Sequence, residues 1–328
     1  MLYEIGDKVL DEWVITRTIG EGSYGKVVEI ERNEFGLSMK SALKIISIPG
    51  NNSELKAVMG EGIDNKSITS YFYGFVEEII KEIAIMSELK GHTNIVTYED
   101  HRVIPHEDHI GWDILIRMEL LTSLLDYSEE HEITEQTVIK LGTDILTALE
   151  VCQKYHVVHR DIKPENIFVS ATGDFKLGDF GIARTIEKTT FGMSKKGTYP
   201  YMAPEIYQGK ESDILVDMYS LGLVMYRMLN DNRLPFFPEY PKKVTYVDRE
   251  NALYRRIQGE TFPKPRHGGK ELGNIVMKSC QYQKEDRYGS ILQMKEALEC
   301  LNGNTSKNLN RIYLSLIHIS EPTRLALI

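Results

Sequence analysis

The sequence predicts an α+β fold in which a strand-rich N-terminal part is followed by a helix-rich C-terminal part. Two observations carry this prediction. β-branched segments separated by turns dominate the first third of the chain, whereas apolar residues at helical spacing dominate from Thr134 onward. The chain has 328 residues and is 42% hydrophobic, which suffices for one large two-lobed domain or two smaller ones.

The first predicted elements are strands on either side of a glycine-rich turn. WVITRTIG and KVVEIE are the first two strands and SALKIIS is the third. A polar, glycine-containing stretch follows from about Pro49 to Ser67. A helix is predicted next, because the apolar residues of FVEEIIKEIAIMSEL recur every three or four positions.

The C-terminal part is predicted to be built on helices. One apolar helix face consists of Val138, Leu141, Ile145, Leu149 and Cys152. The segment DMYSLGLVMYRML is apolar almost all round, which predicts a buried helix.

Charge and cysteine content narrow the class of protein. The net charge of −9 argues against a nucleic-acid-binding surface or a polybasic membrane patch. Cys152, Cys280 and Cys300 are far apart, which predicts neither a zinc site nor a disulfide framework. The sequence has no signal-peptide pattern and no apolar run of about 18 residues. We therefore expect a cytoplasmic domain with no membrane segment in this sequence, whatever anchor a longer chain carries.

The C-terminal residues 314–328 are set aside as an artefactual tail. The stretch LSLIHISEPTR at 314–324 resembles the in-frame translation of an adapter used in preparing sequencing libraries. A short natural β-prone tail is the alternative. Residues 303–313, which are polar, are interpreted as a linker.

The turn between the first two predicted strands has the spacing G-x-G-x-x-G, formed by Gly20, Gly22 and Gly25. A dinucleotide site needs a helix at the third glycine, whereas the KVVEI that follows prefers a strand. Glycines between two strands let backbone N–H groups approach phosphates without a Cβ in the way. On the third strand Ala42 and Lys44 share a face. The small Ala42 side chain would leave room for a base, and Lys44 would reach the phosphates. The alternative is that Lys44 is an ordinary solvated lysine.

A second group of polar residues surrounds a predicted hairpin in HRDIKPENIFVSATGDFKLGDFG. IFV and FKL are its strands and ATGD is its turn, so the hairpin returns Asp179 to Asn166. One carboxylate and one amide oxygen beside a glycine loop suit Mg²⁺. Asp161 can then accept a hydroxyl proton and Lys163 can steady a transferred phosphoryl group. The alternative, a polar turn, does not explain the second acidic residue.

With these motifs, residues 10–302 resemble the eukaryotic-type (Hanks-type) Ser/Thr protein kinase catalytic domain, and phrases such as VDMYSLG are closer to its bacterial members. The resemblance implies a small β-rich N-lobe at about 10–121, a larger helical C-lobe at about 122–302, and an ATP cleft between them. It also implies transfer of the γ-phosphoryl group of ATP, with Mg²⁺ or Mn²⁺, to Ser/Thr hydroxyls of protein substrates.

The resemblance assigns roles to single residues through the motifs HRD, DFG and APE. The catalytic residues it implies are Asp161, Lys163, Lys44, Glu82 and Thr198. The metal ligands it implies are Asn166 and Asp179. The ATP-binding residues it implies are Gly20, Gly22, Gly25, Val27, Ala42, Lys44, the gatekeeper Met118, the hinge residues Glu119 to Leu121, and Phe168. The structural residues it implies are Asp217, which would anchor the catalytic loop, and the ion pair of Glu205 with Arg287.

The assignment of Glu82 depends on register. It stands ten residues before the His of HTNIV, whereas Glu77, Glu78 and Glu88 are rivals on the same helix. The 38 residues from Lys44 to Glu82 are more than the family usually has, so NNSELKAVMGEGIDNKS is interpreted as an insertion. It is an inert loop, a docking surface, or a lever on the Glu82 helix.

Two arginines suggest regulation. Arg160 and Arg184 would repel each other near one spot unless an anion joins them. A phosphorylated Thr189, Thr190 or Ser194, for example from autophosphorylation, would supply that anion, although each is also an ordinary loop hydroxyl.

Two rival functions predict different sequences. A pseudokinase would lack Lys44, Asp161 or Asp179, and all three are present. A small-molecule phosphotransferase usually lacks a segment such as GTYPYMAPE, which this chain has. We therefore expect a kinase that acts on proteins.

Overall fold

The computed structural model describes residues 3–22, 25–60, 62–180, 199–210 and 213–301. The chain divides into two compact units. The first comprises Met1–His131 and Thr147–Met202, and the second comprises Glu132–Leu146 and Ala203–Ile328. The predicted linker and tail lie outside the described residues.

The first unit contains a six-stranded antiparallel sheet. Its strands are β1 (Lys8–Val9), β2 (Trp13–Gly22), β3 (Gly25–Glu34), β4 (Leu37–Ile48), β5 (Tyr98–Pro105) and β6 (Trp112–Met118). They are arranged in the order β1-β2-β3-β4-β6-β5. The three strands predicted from WVITRTIG, KVVEIE and SALKIIS are confirmed in β2, β3 and β4. One face of this sheet buries Val9, Trp13, Ile15, Val28, Ile30, Leu43, Ile45 and Leu115 as a hydrophobic cluster.

Two helices lie between β4 and β5 in the chain, namely α1 (Asn52–Gly60) and α2 (Asn65–Glu88). α2 begins after Asp64, whose carboxylate accepts the N–H groups of Lys66 and Ser67. The helix packs against β4 and β5. Its buried face consists of Ile68, Phe72, Val76, Ile79, Ile83 and Met86, at a spacing of three or four residues.

The stretch from about Pro49 to Ser67, predicted as polar and glycine-containing, contains helical structure, and the helix predicted from Phe75 begins earlier than expected. α1 lies within this stretch at Asn52–Gly60, and α2 begins at Asn65 rather than near Phe75. Leu55 and Val58 of α1 are buried at 9% exposure each. The reason for the difference is that burial of these few apolar side chains stabilises helices whose local sequence signal is weak.

A three-stranded sheet completes the regular structure of the first unit. It consists of β7 (Thr122–Ser123), β8 (Ile167–Val169) and β9 (Phe175–Leu177), in that order. β8 and β9 form the predicted antiparallel hairpin. The short helix α3 (Leu124–Glu130) follows β7 and is capped by the Ser123 hydroxyl, which accepts the Asp126 N–H.

The second unit is helical. Its helices are α5 (Pro204–Tyr207), α6 (Leu215–Met228), α7 (Tyr246–Ile257), α8 (Lys270–Ser279) and α9 (Ile291–Leu301), together with the first part of α4 (Glu135–Lys154). α6 is buried on nearly all sides, as predicted for DMYSLGLVMYRML, and packs against α8. A Cβ at Gly142 of α4 would lie 2.7 Å from Leu298 and 2.9 Å from Met225, so these elements approach closely. Within the described ranges, none of the helices combines the length and apolarity needed to cross a membrane.

Candidate active site

The β8–β9 hairpin brings Asn166 and the residues just before Asp179 together. Ile167 pairs with Leu177, and the Gly178 N–H donates to the Asn166 carbonyl at 2.9 Å. Asp179 follows Gly178 directly. The two ends of the predicted hairpin therefore meet.

The Asp161 carboxylate is held by two neighbouring side chains. Asn166 Nδ2 donates at 2.8 Å to both the carbonyl oxygen and Oδ2 of Asp161, and Lys163 Nζ lies 2.8 Å from the same Oδ2. Asp161 is only 5% exposed. These charge-assisted contacts orient the Asp161 carboxylate. Because Asn166 uses its Nδ2 group here, its side-chain oxygen Oδ1 is the atom that can bind a ligand.

His159 connects the two arms of the site. Its Nε2 lies 2.9 Å from the Gly178 carbonyl, and its Nδ1 accepts the Asp161 N–H at 3.3 Å. Because a carbonyl oxygen only accepts, these partners assign the proton to Nε2. The ring is buried and lies edge-on to Phe180, with 4.9 Å between the ring centroids. His159 therefore fixes Asp161 relative to Asp179, a role that the sequence analysis did not give it.

Lys44 and Asp179 form an ion pair. Lys44 Nζ lies 2.5 Å from Asp179 Oδ1, and the lysine is 6% exposed. Burial alone would raise the pKa of the Asp179 carboxyl, but the adjacent Lys44 ammonium holds that pKa below its usual value. Asp179 therefore stays ionised at neutral pH. Its φ of +57° and the +63° of Arg160 are left-handed values that non-glycine residues adopt rarely, often at functional sites.

The predicted base-binding residues lie on neighbouring strands. Val27 is opposite Lys44, and Ala42 is opposite Met118. Gly25 has φ +124°, and a Cβ there would lie 2.1 Å from the Ile45 carbonyl oxygen, so only glycine fits.

The remaining glycines and the hinge residues are placed as follows. Gly20 and Gly22 face Val27 and Gly25 across the β2–β3 pair. Glu119, Leu121 and Phe168 are half-buried.

Several predicted residues are placed without a test of their role. Glu82 is half-buried on α2, between the buried Ile79 and Ile83. The structure pairs Lys44 with Asp179, so a pair of Lys44 with Glu82 stays a prediction. Asp217 is fully buried in α6, and its anchoring role stays a prediction as well.

The regulatory predictions fall mostly outside the described residues. Thr198, Arg184, Thr189, Thr190 and Ser194 all lie there, as does Gly181 of the DFG motif. Arg160 is described and exposed. The anion between Arg160 and Arg184 therefore stays a prediction.

The family model described as "Protein kinase domain" matches residues 13–300. The chain belongs to the protein kinase domain family. It is 31% identical over 201 residues to "Serine/threonine-protein kinase shk2" of Schizosaccharomyces pombe, covering 61% of this chain and 32% of that protein. It is 32% identical over 257 residues to the "Carbon catabolite-derepressing protein kinase" of Saccharomyces cerevisiae, covering 78% and 35%. It is 24% identical over 296 residues to "Probable serine/threonine-protein kinase PknB" of Lactococcus lactis, covering 89% and 42%. The chain thus spans less than half the length of these relatives.

The kinase fold confirms the predicted α+β class, with a β-sheet-rich N-terminal region and a helical C-terminal region. In that helical region Arg287 donates to both carboxylate oxygens of Glu205, at 2.7 and 2.8 Å. The Arg287 guanidinium also lies 4.7 Å from the ring centroid of Tyr219. This is the ion pair that the resemblance implied.

Lys176 is a buried lysine of the kinase domain that the sequence analysis did not single out. Its Nζ lies 2.7 Å from Glu119 Oε1, which also accepts the Thr97 N–H at 2.6 Å. The Val96 N–H donates to the Leu177 carbonyl at 2.9 Å. Strand β9, which leads to Asp179, is thereby tied to Glu119, the residue after the predicted gatekeeper. The only indication in the sequence that Lys176 is buried is its place between two apolar residues of a three-residue strand.

Replacing Lys176 with Met is expected to lower the free energy of unfolding by about 1.5–3 kcal/mol, because the Glu119 carboxylate loses a charged partner. Urea unfolding measures this. Lys81→Met is the matched control, since Lys81 pairs with Glu78 at the surface with 70% and 49% of the side chains exposed. That control is expected to cost less than about 0.5 kcal/mol. Equal unfolding midpoints for the two variants would contradict the assignment.

Proposed function

We propose that this kinase domain transfers the γ-phosphoryl group of Mg-ATP to Ser and Thr hydroxyls of proteins, its own chain among them. The observation that carries the proposal is the ion pair of the buried Lys44 with the half-buried Asp179, joined through the β8–β9 hairpin to an oriented Asp161. The names of the relatives, which are Ser/Thr protein kinases, support the same class. Lys163, two residues after Asp161, favours Ser and Thr over Tyr as acceptors.

In this proposal Asp161 acts as the general base. It accepts the proton of the substrate hydroxyl while the new O–P bond forms and the bond from the γ-phosphorus to the β-phosphate oxygen breaks, so ADP leaves. Lys163, 2.8 Å from Asp161 Oδ2, offers its ammonium to the developing charge. Lys44 offers the cation for the phosphates, and the half-buried Phe168 and buried Ala42 offer an apolar surface for the base.

The residues present fit a magnesium or manganese ion. Asn166 Oδ1 and the ionised Asp179 are hard oxygen ligands, and Mg²⁺ commonly takes one or two such ligands together with phosphates and water. Among the described residues no group of three or more His, Cys, Asp or Glu is arranged to hold a metal alone, which agrees with a site completed by nucleotide. When bound, the ion would neutralise phosphate charge.

A phosphorylation assay tests the proposal. The chain is incubated with γ-labelled ATP, Mg²⁺ and casein, and the labelled amino acids are identified. Lys44→Met is expected to lower incorporation by about 10²-fold or more, since a buried cation for the phosphates is lost. Lys40→Met is the matched control, because Lys40 lies on the same strand, exposed and paired with Glu29, and should retain wild-type activity. Equal incorporation by wild type and Lys44→Met would refute the proposal, as would label on Tyr alone.

A further inference from the structure

The N-terminal residues 3–10, which we call the N-terminal strap, comprise the edge strand β1 and the residues around it, and they contact the sheet face opposite to Lys44. The Gly6 N–H donates to the Ile15 carbonyl at 2.9 Å, and the Ile15 N–H donates to the Asp7 carbonyl at 3.0 Å. Tyr3 and Leu10 pack against the hydrophobic cluster that includes Ile45. Because successive side chains of β4 point to opposite faces, this cluster is on the side away from Lys44.

Two polar contacts anchor the start of the strap to different strands. The Tyr3 carbonyl accepts a hydrogen bond from Lys26 Nζ of β3 at 2.9 Å. The Tyr3 hydroxyl donates to Oδ2 of Asp113 in β6 at 3.1 Å. One residue of the strap therefore bridges two strands of the sheet.

Asp113 is a buried acceptor for the Tyr3 hydroxyl. The residue is 1% exposed, and Oδ1 accepts the Ser47 hydroxyl at 2.6 Å and lies 3.0 Å from His106 Nε2. Burial raises the pKa of Asp113, but the Ser47 hydroxyl and the nearby His106 outweigh it and hold that pKa below its usual value. Burial and the neighbouring Asp113 raise the pKa of Tyr3, so its hydroxyl keeps the proton that it donates. A buried carboxylate is costly without hydrogen-bond donors, and the Ser47 and Tyr3 hydroxyls each donate to one oxygen of Asp113.

Lys26 links the strap to the phosphate-binding turn. It is the residue immediately after Gly25, and it pairs across the ladder with Glu21 and Ile45. Its neighbour Val27 points to the other face and is opposite Lys44. The hydrogen bond from the Lys26 ammonium to Tyr3 therefore restrains the backbone of the two residues that flank Lys26, Gly25 and Val27.

We propose that the N-terminal strap positions the glycine turn for ATP through the bridge Asp113–Tyr3–Lys26. Tyr3 and Lys26 are positioning residues here, and the inference rests on the proposed ATP site. The reacting groups Asp161 and Asp179 lie on other elements, so loss of the bridge changes nucleotide affinity and spares the chemical step.

Steady-state kinetics with varied ATP test the bridge in the full chain. Lys26→Met is expected to raise KM for ATP about 5–30-fold with kcat within twofold, the size of one lost hydrogen bond from a charged donor. Lys26→Arg keeps a donor and should restore KM to within about threefold of wild type. Tyr3→Phe removes only the anchor on Asp113 and should raise KM about 2–5-fold. Lys40→Met again serves as the control with unchanged KM.

The double variant Lys26→Met/Tyr3→Phe separates the bridge from a direct contact of Lys26 with ATP. If one tether is involved, its KM equals that of Lys26→Met alone, because both changes break the same connection. A silent Tyr3→Phe, or multiplied effects in the double variant, overturns the bridge. A fall in melting temperature with kcat and KM changing together overturns it too. Calorimetric titration with ATP gives the ratio of ATP affinities between each variant and the wild type without turnover. Activity that survives Lys44→Met refutes the proposed function instead of the bridge.

Discussion

Replacing Asp161 with Asn is expected to lower kcat by about 10²- to 10⁴-fold, the usual contribution of a general base. KM for ATP should change little, because Asp161 contacts Lys163 and Asn166 rather than the ion pair of Lys44 with Asp179. The substituted amide keeps an oxygen that can accept from both neighbours. The loss is therefore expected in the chemical step and not in folding.

Initial rates at saturating ATP and substrate, together with a melting curve, measure the effect of Asp161→Asn. Asp100→Asn is the control, because Asp100 is half-exposed and pairs with Arg117 away from the site. If Asp161→Asn kept more than a tenth of the wild-type kcat, Asp161 would not be the base.

Replacing Glu205 with Gln is expected to lower the free energy of unfolding by about 3–5 kcal/mol, as when one partner of a buried ion pair is removed. Arg287 and Glu205 are 4% and 8% exposed, so the guanidinium would be left buried without its anion. Its hydrogen bonds to the carbonyls of Gln281 and Tyr282 cannot replace a carboxylate charge.

Chemical denaturation followed by circular dichroism measures the effect of Glu205→Gln. Lys284→Met is the matched control, because Lys284 pairs with Asp213 nearby with 36% and 49% of the side chains exposed. That surface pair is expected to contribute less than about 1 kcal/mol. A loss of under about 1 kcal/mol in Glu205→Gln would show that the buried pair stabilises no more than the exposed one.

The sequence predicted those parts of the site that depend on local geometry. The pairing of Ile167 with Leu177 follows from two short apolar runs around a turn, so the approach of Asn166 and Gly178 can be predicted from the sequence alone. The proton position on His159 Nε2 and the partner of Lys176 cannot be predicted in this way. Both are set by residues that are distant in the chain and that only the folded backbone brings within hydrogen-bonding distance.

Tertiary burial also explains why α1 and the first turns of α2 are not apparent from the sequence. Asn, Ser and Gly between residues 50 and 67 weaken a helical pattern read from sequence. Leu55, Val58 and Ile68 are nevertheless buried, and that burial outweighs the local preference. The pairing of Glu82 with Lys44 and the roles given to residues between 181 and 198 stay predictions.

The positions of the two tryptophans give the first unit an optical label of its own. Trp13 in β2 and Trp112 in β6 are the only tryptophans of the chain, and both belong to the sheet of the first unit. Intrinsic emission therefore reports on that unit, whereas the far-ultraviolet ellipticity of the helices is weighted toward the second. Coincident midpoints from the two signals would mean that the units melt cooperatively, and separated midpoints would give each its own transition.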